Sequence, residues 1–306
     1  MIHATIARIN QRGEIMSSYT PTQIDHIQRI NRVLNYIQEH RDNQLSLDKL
    51  AAIACFSPYH FHRIFTAYMG ETLNEYVTRV RLEYSTHQLC YTRNSITEIA
   101  LATGYETPSA YSRAFKKNFG ESPSSFRKRK AAAVIRKTTV IIHEKGVHEP
   151  MNPQIVKRDE ISVMYVRRTG AYAKSAEQAW SVLGAYAVPK NLFGPDSECI
   201  GISYDDPKVT EAEKLRYDAC ITAPPEFKGE GEIAHQTIAG GKYAVFLHEG
   251  PYEKLEDVYA RIYREWLPES GYQPGQCICF EKYLNSPESV DSPEELKTEI
   301  FISLES

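Results

Sequence analysis

The chain has 306 residues, room for two or three domains with proper cores, and its 42% hydrophobic and 25% charged content is ordinary for a globular protein. No apolar run approaches a membrane span and no signal peptide is visible, so neither a membrane protein nor a secreted one is expected. The net charge of -3 conceals an asymmetry: residues 1–137 carry 19 Lys+Arg against 11 Asp+Glu, a net of +8, and residues 138–306 carry 17 against 28, a net of -11. A basic half suits a polyanion and an acidic half repels one, so the split also suggests a domain boundary.

Residues 1–20 read as a disordered extension, or as sequence ahead of a natural start at Met16. Ile24, Ile27, Ile30, Leu34 and Ile37 then recur at helical spacing and predict an amphipathic helix. Ser46 caps a short helix through Leu47, Leu50 and Ala51, Cys55-Phe56 makes a turn, and Ser57-Pro58 opens a second helix. On that helix Phe61, Ile64, Phe65 and Tyr68 share the buried face, and Tyr59, His62 and Arg63 point outward.

The pattern of residues 46–76 returns in residues 95–126. Ser95 and Glu98 stand at capping-box spacing, Gly104-Tyr105 is the turn, and Thr107-Pro108 starts the next helix. Tyr111, Ala114 and Phe115 face the core of this unit; Ser109, Arg113, Lys116 and Lys117 face out. Between the units, residues 72–92 form one helix of about 31 Å, against about 34 Å for a turn of B-DNA. Such a rod sets two second helices one groove apart. A helical bundle without nucleic acid shares the apolar pattern, but two motifs with matching exposed Arg favour a DNA reader.

Residues 24–130 resemble the AraC/XylS family of DNA-binding domains, most specifically over Gly104-Tyr105, Ser112-Arg113-Ala114-Phe115-Lys116 and Ser122-Pro123. The resemblance implies a seven-helix domain with two helix-turn-helix motifs. It places base contacts at Tyr59, His62 and Arg63 in the first motif and Ser109, Ala110 and Arg113 in the second. Arg is the usual bidentate partner of guanine, and Ala110 offers only a methyl contact. Lys116, Lys117 and the run Arg127-Lys128-Arg129-Lys130 suit phosphates, although that run also fits a solvated helix end. His60 suits a packing or a phosphate role. Two motifs in one chain let a monomer read an asymmetric site, so monomer and dimer both stay open.

Residues 131–152 read as a linker in which Val140-Ile141-Ile142 fits a short strand. The domains expected are therefore 21–130, all α, and 153–306, α+β. Six cysteines at 55, 90, 199, 220, 277 and 279 include no pair of pairs at zinc spacing and suit the reduced thiols of a cytoplasm. No metal and no cofactor is expected.

The second half repeats too, residues 165–223 against 245–304. Strand-like 163–168 precedes Gly170 and a helix to about Tyr186; strand-like 243–248 precedes Gly250 and a helix to about Leu267. Two strands follow each helix, at 199–204 and 215–222, then at 276–284 and 296–304. Each copy is a βαββ unit, and a cleft between copies is the default ligand site. Aligning the copies sets Ile202 against Glu281 and Tyr204 against Tyr283. On one strand Cys277, Cys279, Glu281 and Tyr283 share a face. If that face is exposed, Glu281 is an ordinary surface acid. If it lines the cleft, Glu281 holds a cation or handles protons. Eleven of the twenty tyrosines lie in this half with Trp180 and Trp266, and aromatic walls favour cations and flat lipophilic molecules.

This half resembles the GyrI-like domain over about residues 152–306, through His248-Glu249-Gly250-Pro251-Tyr252 and Phe280-Glu281-Lys282-Tyr283-Leu284. The resemblance implies a small-molecule site with an acidic residue at Glu281 facing lipophilic cations. Tyr172, Trp180, Tyr252, Trp266 and Tyr283 are the expected walls. A DNA reader ahead of such a domain is similar to the Rob-type regulators. A ligand-responsive transcription activator is expected, with double-stranded DNA, RNA polymerase and a small-molecule effector as partners. The alternatives are a C-terminal hydrolase or isomerase using Glu281 beside Tyr283, or a protein-binding module; no nucleophile–His pair or phosphate loop supports the enzyme.

Overall fold

The computed structural model describes residues 20–130, 151–194, 197–275 and 277–305. The N-terminal extension with Met16, and most of the linker with Val140-Ile141-Ile142, lie outside the described residues. The described chain divides into two compact units, residues 21–130 and residues 151–305.

The first unit is helical: α1 (Pro21–Glu39), α2 (Leu47–Ile53), α3 (Pro58–Met69), α4 (Leu73–Tyr91), α5 (Ile96–Ala102), α6 (Pro108–Phe119) and α7 (residues 123–130). Capping fixes the starts. Ser46, Ser57, Thr72, Ser95 and Thr107 each accept a backbone N–H three residues on, and Thr72/Glu75 and Ser95/Glu98 form full capping boxes. The central helix α4 spans 19 residues, about 28 Å. Its first half adds Tyr76, Val77 and Val80 to one core with Phe61 and Phe65. Its second half adds Leu82 and Leu89 to a separate core with Tyr111 and Phe115. One helix thus carries two small domains, each closed around its own helix-turn-helix.

The turns differ. Cys55 takes a positive φ of 54° in the first, where the second has Gly104 at 77°. A Cβ on Gly104 would stand 2.7 Å from the Arg81 guanidinium, which itself donates to the carbonyls of Arg41 and Asn43. Glycine there meets both the backbone conformation and the close approach.

The second unit is one antiparallel sheet of eight strands: β1 (Gln154–Arg158), β2 (Ile161–Thr169), β3 (Cys199–Ser203), β4 (Arg216–Thr222), β5 (Ala234–Ile238), β6 (Gly241–Glu249), β7 (Phe280–Tyr283) and β8 (Lys297–Leu304). The order is β1-β6-β8-β7-β3-β4-β2-β5. Helix α8 (Tyr172–Ala187) follows β2; after β6 come α9 (Leu255–Arg261), a π-helical turn (Ile262–Trp266) and α10 (Leu267–Ser270). The copies meet at β3–β7. Each copy also has a leading strand absent from the βαββ expectation, β1 and β5, and each leading strand pairs with the other copy, β1 on β6 and β5 on β2. Their sequences, QIVKR and AHQTI, are too short and too polar to announce strands.

Pleating sorts the residues into two faces. Met164, Val166, Ala219 and Ile221 pack against Ala179 and Leu183 of α8. Tyr165, Ile200, Ile202, Tyr243, Phe280 and Phe301 form the core of the opposite face.

Candidate functional site

In the first unit, burial of Phe61 and Phe65 turns the far side of α3 outward. Tyr59, His60, His62 and Arg63 are all exposed, Tyr59 by 66%. The Arg63 guanidinium donates to the Tyr59 hydroxyl at 2.8 Å, so the two form one presented group. His60 Nδ1 lies 3.2 Å from the Ser57 hydroxyl. On α6, Tyr111 and Phe115 are buried, Ser109, Arg113, Lys116 and Lys117 are exposed, and Ala110 is half-buried.

Three expectations change. Tyr68 is 37% exposed rather than part of the core, and its hydroxyl donates to the Gln23 carbonyl of α1 at 3.4 Å. Arg127 is committed in part to the fold: it donates to the carbonyls of Leu89 at 3.1 Å and Asn94 at 2.7 Å, closing the α4–α5 corner. Arg129 pairs with Glu121 at 2.6 Å. The first repeat has the same pair eight residues apart, Glu71–Arg79, so it belongs to the folding unit.

In the second unit the register corrects the alignment of the copies. Gly170 N–H donates to Leu215 O, and Gly250 N–H donates to Leu296 O, so Leu215 corresponds to Leu296. Tyr217 then matches Thr298, and their strand partners Ser203 and Tyr283 match each other. Gly201, not Ile202, is therefore the counterpart of Glu281. Ile202 points into the opposite core, as a slip of one residue on a strand requires. Gly201 and Glu281 are also direct partners across β3–β7.

Glu281 is only 5% exposed. Tyr259 of α9 donates to its Oε1 at 3.0 Å, and Tyr283 donates to its Oε2 at 2.7 Å. The Tyr283 hydroxyl lies 3.1 Å from that of Tyr217, which accepts from Trp180 Nε1 at 2.9 Å. Tyr252 and Trp180 set their rings against Tyr283 at 5.4 and 5.9 Å, and Tyr172 meets Tyr217 at 6.4 Å. A Cβ at Gly201 would collide with the Tyr283 hydroxyl and stand 2.6 Å from that of Tyr217. The bare glycine admits the phenols that serve the acid opposite.

Five of the six expected ligand residues thus converge. Trp266 does not: it packs edge-on against Phe246 at 5.0 Å and stacks on Tyr272. Phe246 is two strands from Glu281 on the sheet. Cys277 departs as well, packing with Tyr243 and Phe280 on the opposite core, because regular strand begins only at Phe280. Tyr217, Tyr259 and Gly201 are the members that sequence reasoning missed. Tyr217 could have been found from its alternation with Ala219 and Ile221 on β4.

Burial raises the Glu281 carboxyl above the usual range, and the two phenol donors oppose that only in part. Burial, then the charge of Glu281, also raises Tyr217, Tyr259 and Tyr283, which stay protonated donors. Among the described residues no lysine, arginine or histidine pairs with Glu281, and no cluster of three or more His, Cys, Asp or Glu could hold a metal ion. A buried acid ringed by phenols and an indole is electrostatically suited to a cation.

Residues 151–305, just over half of the chain, match the model of the GyrI-like small molecule binding domain. The chain belongs to the GyrI-like family. Residues 50–129 of this GyrI-like protein match a helix-turn-helix domain, here of the AraC type. Transcriptional regulator Rob of Salmonella typhimurium is 26% identical over 301 residues, 90% of this chain and 97% of that protein. Regulatory protein SoxS of the same organism is 32% identical over 106 residues, 35% of this chain and 99% of its own length. A DNA gyrase inhibitor of Erwinia billingiae is 29% identical over 141 residues, 44% of this chain and 87% of its own. The GyrI-like protein is a DNA-binding transcriptional regulator with a small-molecule-binding domain behind its reader.

Proposed function

We propose that this regulator activates transcription in the cytoplasm when a lipophilic cation occupies the Glu281 site. One observation carries the reading: a carboxyl 5% exposed, held by Tyr259 and Tyr283, with no basic partner among the described residues. A bound cation removes the cost of the buried charge, and Trp180, Tyr172 and Tyr252 supply faces for an apolar body. The domain binds and does not catalyse.

The DNA reader uses Tyr59, His60, His62 and Arg63 in one groove and Ser109, Ala110 and Arg113 in the next. Lys116 and Lys117 meet phosphates. RNA polymerase is the partner through which binding becomes activation. Coupling requires that the cation bind one DNA-engaging state better than another.

The match to a DNA gyrase inhibitor supports a second reading, in which the C-terminal unit binds a protein. Run-off transcription from a selected operator, with and without tetraphenylphosphonium, tests the first. Stimulation that disappears in Glu281→Gln supports it. Equal transcription with and without cation contradicts it.

A further inference from the structure

Beside Glu281 lies a polar atom that the cluster does not use. Thr298 of β8 is fully buried, and its Oγ1 has no hydrogen-bond partner among the described residues. An unpaired buried hydroxyl is costly, so such groups call for an account. Thr298 pairs with Tyr283 on one side and His248 on the other, placing it on the Glu281 face of the sheet. Its counterpart in the first copy is Tyr217, whose hydroxyl is fully engaged by Trp180 and Tyr283. Counting from the matched Tyr172 and Tyr252, Ala260 falls where Trp180 stands. The second copy has therefore exchanged a phenol and an indole for a threonine and an alanine, and left one hydroxyl unspent.

We infer that Thr298 is a specificity-determining residue of the ligand site, giving a hydrogen bond to an effector that carries a polar group besides its positive charge. The inference rests on the cation reading of Glu281. His248 does not compete for the hydroxyl through Nε2, which lies 3.2 Å from the Pro251 carbonyl. Glu281 and Thr298 are diagonal neighbours on adjacent strands, so their Cα atoms are about 7–8 Å apart. The ligand class is thus a lipophilic cation whose hydroxyl or carbonyl lies on the order of one ring away from the charged centre.

The test compares tetraphenylphosphonium with its 4-hydroxyphenyl analogue by isothermal titration on the full chain. For wild type the hydroxylated probe should bind about five- to tenfold tighter, the worth of one hydrogen bond. Thr298→Val should bring the two within about twofold, and Thr298→Ser should keep the preference. An unchanged preference in Thr298→Val, or no preference in wild type, overturns the role of Thr298 and leaves the Glu281 reading standing. Failure of both probes to bind wild type overturns the cation reading and this inference with it. Thermal melts without ligand add a second arm. Thr298→Val should melt higher than wild type because an unpaired polar group is removed; a lower melt would show that the hydroxyl is already bonded within the protein.

Discussion

Gly201 and Glu281 are the same position of two repeats, and they face each other across the strand pair where the repeats join. One copy has kept no side chain there and the other has a carboxylate. The hydroxyls of Tyr217 and Tyr283 occupy the space that a Cβ on Gly201 would take. The asymmetry is what turns a symmetrical sheet into a site with one charge.

Gly201→Ala should therefore disturb the cluster without touching the acid. Overpacking of this kind costs about 1–3 kcal/mol. Urea melts should show that loss, and adding Tyr283→Phe, which removes the nearest atom, should recover part of it. Strict additivity of the two changes would mean that the hydroxyl and the glycine are not in conflict.

Glu281 should make stability depend on pH in a defined direction. Its folded pKa is raised by burial, so the folded state holds the proton more tightly than the unfolded chain. Its contribution is full below the unfolded value and is lost as pH rises through the folded value. Thermal melts of wild type and Glu281→Gln without ligand should nearly coincide around pH 4, with the variant increasingly the more stable towards pH 8. A gap that shrinks with rising pH would mean that the buried carboxylate is stabilised, not strained.

That site was only partly legible. Tyr172 and Tyr252 could be picked out because they recur at matched places after Gly170 and Gly250, and Trp180 and Tyr283 because aromatic residues are frequent in this half. The partner of Glu281 could not, because the tyrosines at 204 and 283 invite an alignment one residue out of register. On a strand that error exchanges the faces. Trp266 counts among the aromatic residues of this half, yet it ends a π-helical turn at Ile262–Trp266 and packs on Phe246 and Tyr272 instead. The helical unit was more legible, since caps such as Ser57-Pro58 and Ser95/Glu98 act locally.

Charge on the helical unit divides by what each side chain already holds. Arg113 and Lys116 are exposed, so Arg113→Ala should weaken specific DNA binding by about 1–3 kcal/mol and relax discrimination at one base. Lys116→Ala should weaken all sequences alike and reduce the salt slope by about one. Mobility-shift titrations at several salt concentrations, on operator and scrambled DNA, separate the two. Equal losses on both DNAs for Arg113→Ala would remove it from base reading.

Arg127 should behave differently. Its bonds to Leu89 and Asn94 carbonyls are internal, and losing them should cost about 1–3 kcal/mol of stability. The salt slope of DNA binding by folded Arg127→Ala should stay that of wild type. A slope reduced by about one, with the melt unchanged, would return Arg127 to the phosphate contacts.

The central claim is that Glu281 is the counter-charge of the effector. Titration calorimetry of wild type and Glu281→Gln with tetraphenylphosphonium addresses it most directly. The account predicts saturable binding to wild type and at least tenfold weaker binding to the folded variant, in line with a buried charge contact of more than about 1.4 kcal/mol. Equal affinity for both proteins would contradict it.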